Sequence, residues 1–125
     1  MSENFKLKYF YEGEKFKICW FDAGQSCDFM PKYMGLEEAD KKKVNALIKR
    51  TCDHGVGHNK QKWRELETGL FEMKSGQIRM PFFYHKELKG LIVVTHMFVK
   101  KRKRCPPEEL ERACIRKGLG NDLTP

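Results

Sequence analysis

The fold is set mainly by residues 63–104, WRELETGLFEMKSGQIRMPFFYHKELKGLIVVTHMFVKKRKR. They predict three successive strands followed by a block of positive charge. The first two strands are Leu70–Lys74 and Gln77–Tyr84, and the Ser75-Gly76 link between them is typical of a tight hairpin. The third strand, Leu91–Val99, is apolar on both faces, which is typical of a central strand covered on two sides.

The hairpin has an apolar face and a polar face, because its residues alternate with period two. The Ser75-Gly76 turn places Met73 opposite Ile78 and Phe71 opposite Met80, so the apolar face holds Phe71, Met73, Ile78, Met80 and Phe82. The polar face holds Glu72, Lys74 and Arg79. This register also predicts that Glu72 and Arg79 form a cross-strand ion pair.

The rest of the chain predicts one further strand and two helices within a single domain, residues 1–125. The alternation in Phe16–Asp22 favours a strand, and apolar spacing predicts helices over Leu36–Cys52 and Pro107–Lys117. A short helix fits within Ala23–Gly35. Residues 1–15 form an N-terminal extension, either an added strand or a loose arm, and we expect residues 118–125 to be a frayed tail.

The composition favours a protein that binds a polyanion. The chain of 125 residues carries a net charge of +8, and much of that charge is clustered. The five cysteines form no C-x-x-C pair, and glycines separate His54 from His58, so we expect no metal and no other cofactor. No apolar run approaches the ~20 residues of a membrane span and no secretory signal is visible, which favours a cytoplasmic protein with no membrane partner.

Three motifs in this order resemble the RelE/ParE toxin superfamily, in its HigB-like, phage-derived branch. They are L-x-x-G-L-F-E-M-K, I-R-M-x-F-x-Y and H-x-F-x-K-K-x-x-x-x-P-x-x-E-L-E-x-A, and the similarity covers Phe16 to Lys117. The resemblance implies an α+β, RelE-like fold. That fold is a small twisted, mostly antiparallel sheet with two N-terminal helical segments and a C-terminal helix.

The resemblance also implies a function and its partners. The protein would be the toxin of a type II toxin–antitoxin system: a ribosome-dependent, metal-independent mRNA endoribonuclease that inhibits translation. Its partners would be mRNA, the ribosome and a small helix-turn-helix antitoxin. Two alternatives stay open, a ParE-like inhibitor of DNA gyrase without nuclease activity and an inactive phage or mobile-element remnant that only binds nucleic acid.

The catalytic candidates follow from these motifs. Arg79 resembles the family's phosphate and transition-state clamp, because a guanidinium holds two oxygens and stays charged. Lys74 stands where many relatives have arginine, and Lys101 adds charge. The candidates for proton transfer are His96, Tyr84 and His85. His96 shares a strand face with Val94 and Phe98, which favours a buried, hydrogen-bonded side chain.

The binding candidates are cations, and two further residues would support the site. Lys60 and Lys62 lie in a basic loop that borders the active cleft of the resembled family, although ordinary surface lysines explain them equally well. The run after the third strand supplies RNA or ribosome contacts: Lys100, Arg102, Lys103 and Arg104. Glu72 and Phe98 are expected to support the site. Cys105 stands where relatives have threonine, and a thiol caps a helix poorly.

Overall fold

The computed structural model describes residues 4–101 and 103–125. Within those ranges the chain forms seven strands and three helices. The strands are β1 Lys6–Glu12, β2 Lys17–Asp22, β3 Trp63–Glu67, β4 Leu70–Ser75, β5 Ile78–Tyr84, β6 Leu91–Val94 and β7 Phe98–Val99. The helices are α1 Phe29–Met34, α2 Glu38–His54 and α3 Pro107–Gly120.

The strands form one sheet in the order β1-β2-β6-β5-β4-β3, and β7 pairs with β5. The β2–β6 pair is parallel, and the other pairs in the described ranges are antiparallel. The predicted α+β, mostly antiparallel fold is therefore confirmed. All four residues of β6 are buried, as expected for a central strand.

The helices cover the sheet from both sides. Helices α1 and α2 pack on one face, where α2 contributes Val44, Leu47, Ile48 and Cys52 at helical spacing to the main core. Helix α3 lies against the other face. A smaller core forms on that side around Phe21 and Phe83. The apolar hairpin face packs into the main core, so the polar face of the hairpin points to the α3 side.

The predicted register of the β4–β5 hairpin is wrong by two residues. Met73 lies opposite Met80, Lys74 opposite Arg79 and Glu72 opposite Pro81. The turn is Gly76-Gln77, because the φ of Gly76 is +60° and glycine adopts this left-handed conformation without steric cost. A shift of two residues keeps every side chain on its predicted face but changes its cross-strand partner.

The predicted third strand is interrupted between β6 and β7. Val94 pairs with Phe82 and Phe98 pairs with Arg79, so one extra residue bulges out between the two pairs. Pro81, opposite the interruption, has no N–H to donate. The Thr95 N–H donates to the Pro81 carbonyl at 2.8 Å, and the Met97 N–H turns away to the Cys27 carbonyl at 3.1 Å.

Near both ends of the chain, the described residues pack against the sheet. The extension at the N-terminus contributes β1, which pairs antiparallel with β2, so the added-strand alternative holds. Helix α3 continues past Gly118 to Gly120, which packs so tightly that a Cβ there would meet Phe83 at 2.8 Å. Leu123 then packs against the smaller core, which holds the tail on the sheet.

Candidate active site

Four cations and one buried carboxylate lie near one another on the α3 side of the hairpin. Arg64 lies directly opposite Glu72 on neighbouring strands, and Lys74 follows two residues later opposite Arg79. Lys100 joins them because its backbone N–H donates to the Gln77 carbonyl at the hairpin turn, at 2.8 Å. We refer to Arg64, Lys74, Arg79 and Lys100, together with Glu72, as the cationic cluster.

Glu72 is fully buried and incompletely paired. The Arg64 Nε lies 3.2 Å from its Oε2, which is ion-pair distance, yet the angles are too poor for a hydrogen bond. Neither carboxylate oxygen accepts a hydrogen bond from the described residues. The predicted Glu72–Arg79 pair is therefore wrong. Glu72 instead lies opposite Arg64 on β3, a strand that the sequence did not predict.

Arg79 is folded back against the turn while part of its donor capacity remains unused. Its Nη1 donates to the Gly76 carbonyl at 2.6 Å and to the Ile78 carbonyl at 3.1 Å. Its Nε is buried and makes no hydrogen bond within the described part of the chain. An unpaired buried donor costs free energy, which an anionic ligand with oxygen acceptors would recover.

The pKa of Lys74 is lowered, first by partial burial and then by the positive charges of Arg64 and Arg79. Lys100 lowers this pKa further, whereas Glu72 raises it. The Lys74 ammonium therefore gives up its proton more readily than an ordinary lysine, which suits a group that protonates a leaving oxygen.

The remaining predicted cations lie at the edge of this cluster. Lys101, Lys103 and Arg104 are exposed after β7, and Lys60 is exposed in the loop before β3. Arg102 lies outside the described residues. Lys62 is half-buried and lies beside Lys74, whose backbone N–H donates to the Lys62 carbonyl at 2.8 Å.

His96 is fully buried beside the cluster and is held in one tautomer. Its Nδ1 lies 2.9 Å from the Thr95 Oγ1, and its Nε2 lies 3.1 Å from the Glu109 Oε1. Burial, followed by the charges of Arg112 and Arg116, lowers the pKa of His96 to about 3. The ring is therefore neutral, with Nε2 donating to Glu109, in agreement with the buried, hydrogen-bonded interpretation. Phe98 stacks on this ring, with centroids 5.5 Å apart.

Tyr84 and His85 are not brought together with the cluster. Tyr84 lies on the α2 side of the sheet, where its ring contacts Phe71 and Phe82, and burial raises its pKa. His85 follows the end of β5 that is distant from the cluster, and its ring forms hydrogen bonds with backbone groups. Its Nδ1 accepts from two backbone N–H groups at 3.1 Å, which leaves Nε2 to donate to the Leu123 carbonyl at 2.7 Å.

A buried ion pair next to the site carried no sequence signal. The Arg116 Nη1 of α3 lies 2.7 Å from the Asp28 Oδ1, immediately before α1, and also donates to the Thr95 carbonyl at 3.0 Å. The Asp28 Oδ2 accepts the backbone N–H groups of Ala23 and Gln25. This pair connects α3, which lies on the same side of the sheet as the cluster, to the residue immediately before α1.

Two further observations concern metals and membranes. Among residues 4–101 and 103–125, no three or more histidine, cysteine, aspartate or glutamate side chains gather in a way that could hold a metal ion. No helix in the same part of the chain is both long enough and apolar enough to span a bilayer.

The fold and the cationic cluster define a small, basic α+β protein. Residues 33–117 match the family model described as "Phage derived protein Gp49-like". The match covers more than half of the chain, so the chain belongs to this phage-derived, toxin-like family. It includes β3 to β7 and every residue of the cluster, while β1 and β2 lie before it. No curated protein matches the chain.

Proposed function

We propose that this protein is the toxin of a type II toxin–antitoxin system and cleaves mRNA on the ribosome. The observation that carries the proposal is the cationic cluster, in which four cations converge on one polar sheet face of a Gp49-like chain. A cluster of this kind suits a phosphodiester. Arginine and lysine can supply the positive charge at the reacting phosphate, so the proposed reaction is metal-independent.

The proposed chemistry is attack of a ribose 2′-hydroxyl on the adjacent phosphate. The O2′–P bond forms as the P–O5′ bond breaks, the hydroxyl proton passes to solvent, and O5′ receives a proton. Arg79 turns away from the Gly76 and Ile78 carbonyls to hold two phosphate oxygens with its guanidinium. Lys74, with its lowered pKa, donates the proton to O5′.

Glu72 supports these cations and does not touch the substrate. Its side chain is fully buried, so its charge acts through its neighbours. The positive charges of the cluster would repel one another at the spacing of neighbouring strands, and the buried carboxylate offsets this repulsion. His96 also acts indirectly in this proposal, because it is neutral and fixed to Glu109. Tyr84 and His85 have no role in it.

The proposed partners follow from the charge. The exposed Lys101, Lys103 and Arg104 extend the cluster outward and suit the phosphates of mRNA or ribosomal RNA. The cognate antitoxin, a small helix-turn-helix protein, would cover the same surface with an acidic or amphipathic segment.

The test is an Arg79→Ala protein in a translating extract, with primer extension on mRNA as the readout. Loss of one such donor lowers the rate by a factor of ~10²–10³. Arg79→Lys should restore little, because lysine lacks the bidentate fork. Lys89→Ala is the matched control, since Lys89 is exposed in the loop before β6 and lies outside the cluster.

Two results would count against the assignment. Wild-type cleavage rates from a folded Arg79→Ala protein would remove Arg79 from the reaction. No cleavage by the wild-type protein, combined with inhibition of DNA gyrase, would favour the ParE-like alternative.

A further inference from the structure

A second basic surface lies on the other side of Lys74. An open groove of about 610 Å³ runs between α2, the loop that precedes β3 and the β4–β5 turn. Its lining includes Lys43, Arg50, Lys62 and Lys74, and no acidic residue is among the described side chains that form it. We refer to it as the hairpin groove. A concave wall whose charged side chains are all cationic attracts phosphate groups.

One cation of the groove is held on an aromatic ring. The Arg50 guanidinium carbon lies 5.7 Å from the centre of the Trp63 ring. Trp63 is only 4% exposed, and its Nε1 donates to the Thr51 Oγ1 at 3.0 Å. Gly57 packs against the same ring, where a Cβ would approach it to 2.9 Å. These contacts hold the indole in place. The indole in turn positions the guanidinium of Arg50, which stays exposed.

The loop beside the groove is also ordered. The Asn59 carbonyl accepts the backbone N–H groups of Lys62 and Trp63 at 2.9 and 3.1 Å, and the Asn59 Oδ1 accepts the Gln61 N–H at 2.9 Å. Because the Lys62 carbonyl bonds to the Lys74 N–H, the loop is tied to β4. Lys62 and Lys74 are therefore neighbours, and Lys74 belongs to both the groove and the cationic cluster.

We propose that the hairpin groove binds a single-stranded RNA segment that continues from the phosphate at the cationic cluster. Lys43 and Lys62 contact its backbone phosphates, and one unpaired base stacks on the outer side of the Arg50 guanidinium. Unpaired bases commonly stack on arginine planes, whereas the bases of a duplex are already stacked inside the helix. This proposal rests on the proposed function, from which it takes RNA as the class of substrate. It adds the path of the RNA strand across the protein and a position for one base.

The experiment measures fluorescence anisotropy of a labelled single-stranded RNA oligonucleotide and of the corresponding duplex. We expect Arg50→Ala to raise Kd for the single strand roughly tenfold, within the range measured for loss of one stacked base. Arg50→Lys keeps the charge and loses the plane, so it should retain the salt dependence of binding and recover little affinity. Lys42→Ala, an exposed lysine of α2 outside the groove, is the matched control.

The salt dependence tests the phosphate contacts separately. The double variant Lys43→Ala and Lys62→Ala removes two contacts, which should reduce the slope of log K against log salt by about 1.4 units, at roughly 0.7 for each contact. Thermal melts of each variant establish that it is folded.

The outcomes separate this proposal from the nuclease proposal. If folded groove variants bind RNA as the wild type does, or if the wild type binds duplex as tightly as single strand, the groove proposal is overturned whether or not cleavage persists. Absence of wild-type binding at low salt also overturns it. If binding depends on Arg50 and Lys62 while the wild type leaves mRNA intact, the groove proposal stands and the nuclease proposal fails.

Discussion

Asp28 and Glu72 are two carboxylates buried to nearly the same extent, 1% and 0% exposed, in opposite states of pairing. Asp28 contacts Arg116 at 2.7 Å and accepts two backbone N–H groups. Glu72 has only the Arg64 Nε at 3.2 Å, and no hydrogen bond from the described residues reaches either of its oxygens.

The difference separates an ion pair that is completed within the fold from a buried carboxylate that depends on the charges of its cationic neighbours. A buried carboxylate costs several kcal/mol unless its oxygens are paired. Asp28 meets that requirement within the fold and joins α3 to the start of α1. Glu72 does not meet it, and its neighbour Arg79 has an unpaired buried Nε. Incompletely paired polar groups of this kind concentrate where a protein binds something else.

Breaking the satisfied pair should have the largest effect on stability. Asp28→Ala leaves Arg116 buried without its partner, so we expect a loss of about 3–5 kcal/mol in the free energy of unfolding, measured by urea denaturation. Lys8→Ala breaks the exposed Lys8–Asp22 pair and should cost less than about 1 kcal/mol. Equal losses in the two variants would show that burial of the Asp28 pair does not set its contribution.

His96 lies between the two regions and should give stability a pH dependence. Its folded pKa of about 3 is below the unfolded value of about 6.5, so between these values only the unfolded chain binds the proton. Stability contributed by the neutral ring is complete above pH ~6.5 and is lost as the pH falls towards 3. The change from pH 7 to pH 5 should reach about 2 kcal/mol.

The measurement is urea denaturation of the wild type and of His96→Gln at pH 7, 6 and 5. Whatever the stability of the glutamine variant at pH 7, that stability should change less across this range than the stability of the wild type. The same pH slope in both proteins would assign the effect to another group.

Removing the Glu72 charge should have the smallest effect on stability and a clear effect on the reaction. Glu72→Gln removes a poorly paired buried charge, so we expect a change within about 1 kcal/mol in the free energy of unfolding. Because Glu72 raises the pKa of Lys74, its removal lowers that pKa further. The alkaline limb of the pH–cleavage profile should therefore move to lower pH, since Lys74 must be protonated to donate.

If Glu72 has only a structural role, the effect of Glu72→Gln on cleavage should be different. Cleavage would then fall in proportion to lost stability, with an unchanged pH profile. Asp28→Asn, which disturbs the other buried carboxylate, is the control and should leave the position of the alkaline limb unchanged in the folded protein.

The fold could be predicted from the sequence because period-two and helical patterns report which side of an element is buried. The same patterns cannot distinguish registers that differ by two residues, which is why Glu72 was assigned to Arg79. They also missed β3, whose sequence WRELE is short and mostly polar. Arg64 was missed with it.

The site was predictable in part for the same reason. Lys74 and Arg79 were placed on the correct face by alternation, and Lys100 by its position after an apolar strand. Tyr84 and His85 were candidates for proton transfer because they end the second predicted strand. However, alternation places Tyr84 on the α2 side, and His85 lies past the end of β5, away from the cluster. The Asp28–Arg116 pair joins residues 88 positions apart, a separation over which local patterns carry no information.

The parallel pairing of β2 with β6 has a consequence for biosynthesis. The sheet consists of two locally connected ladders, β1–β2 and β6–β5–β4–β3. In the part of the chain that the structure describes, they pair only where Lys17–Trp20 lies beside Leu91–Val94. During synthesis β1 and β2 emerge before β6, so β2 keeps an unpaired edge until β6 arrives. Such edges recruit other chains, and contacts between distant residues form slowly. The nascent chain therefore passes through an aggregation-prone interval that ends only after β6 has been made.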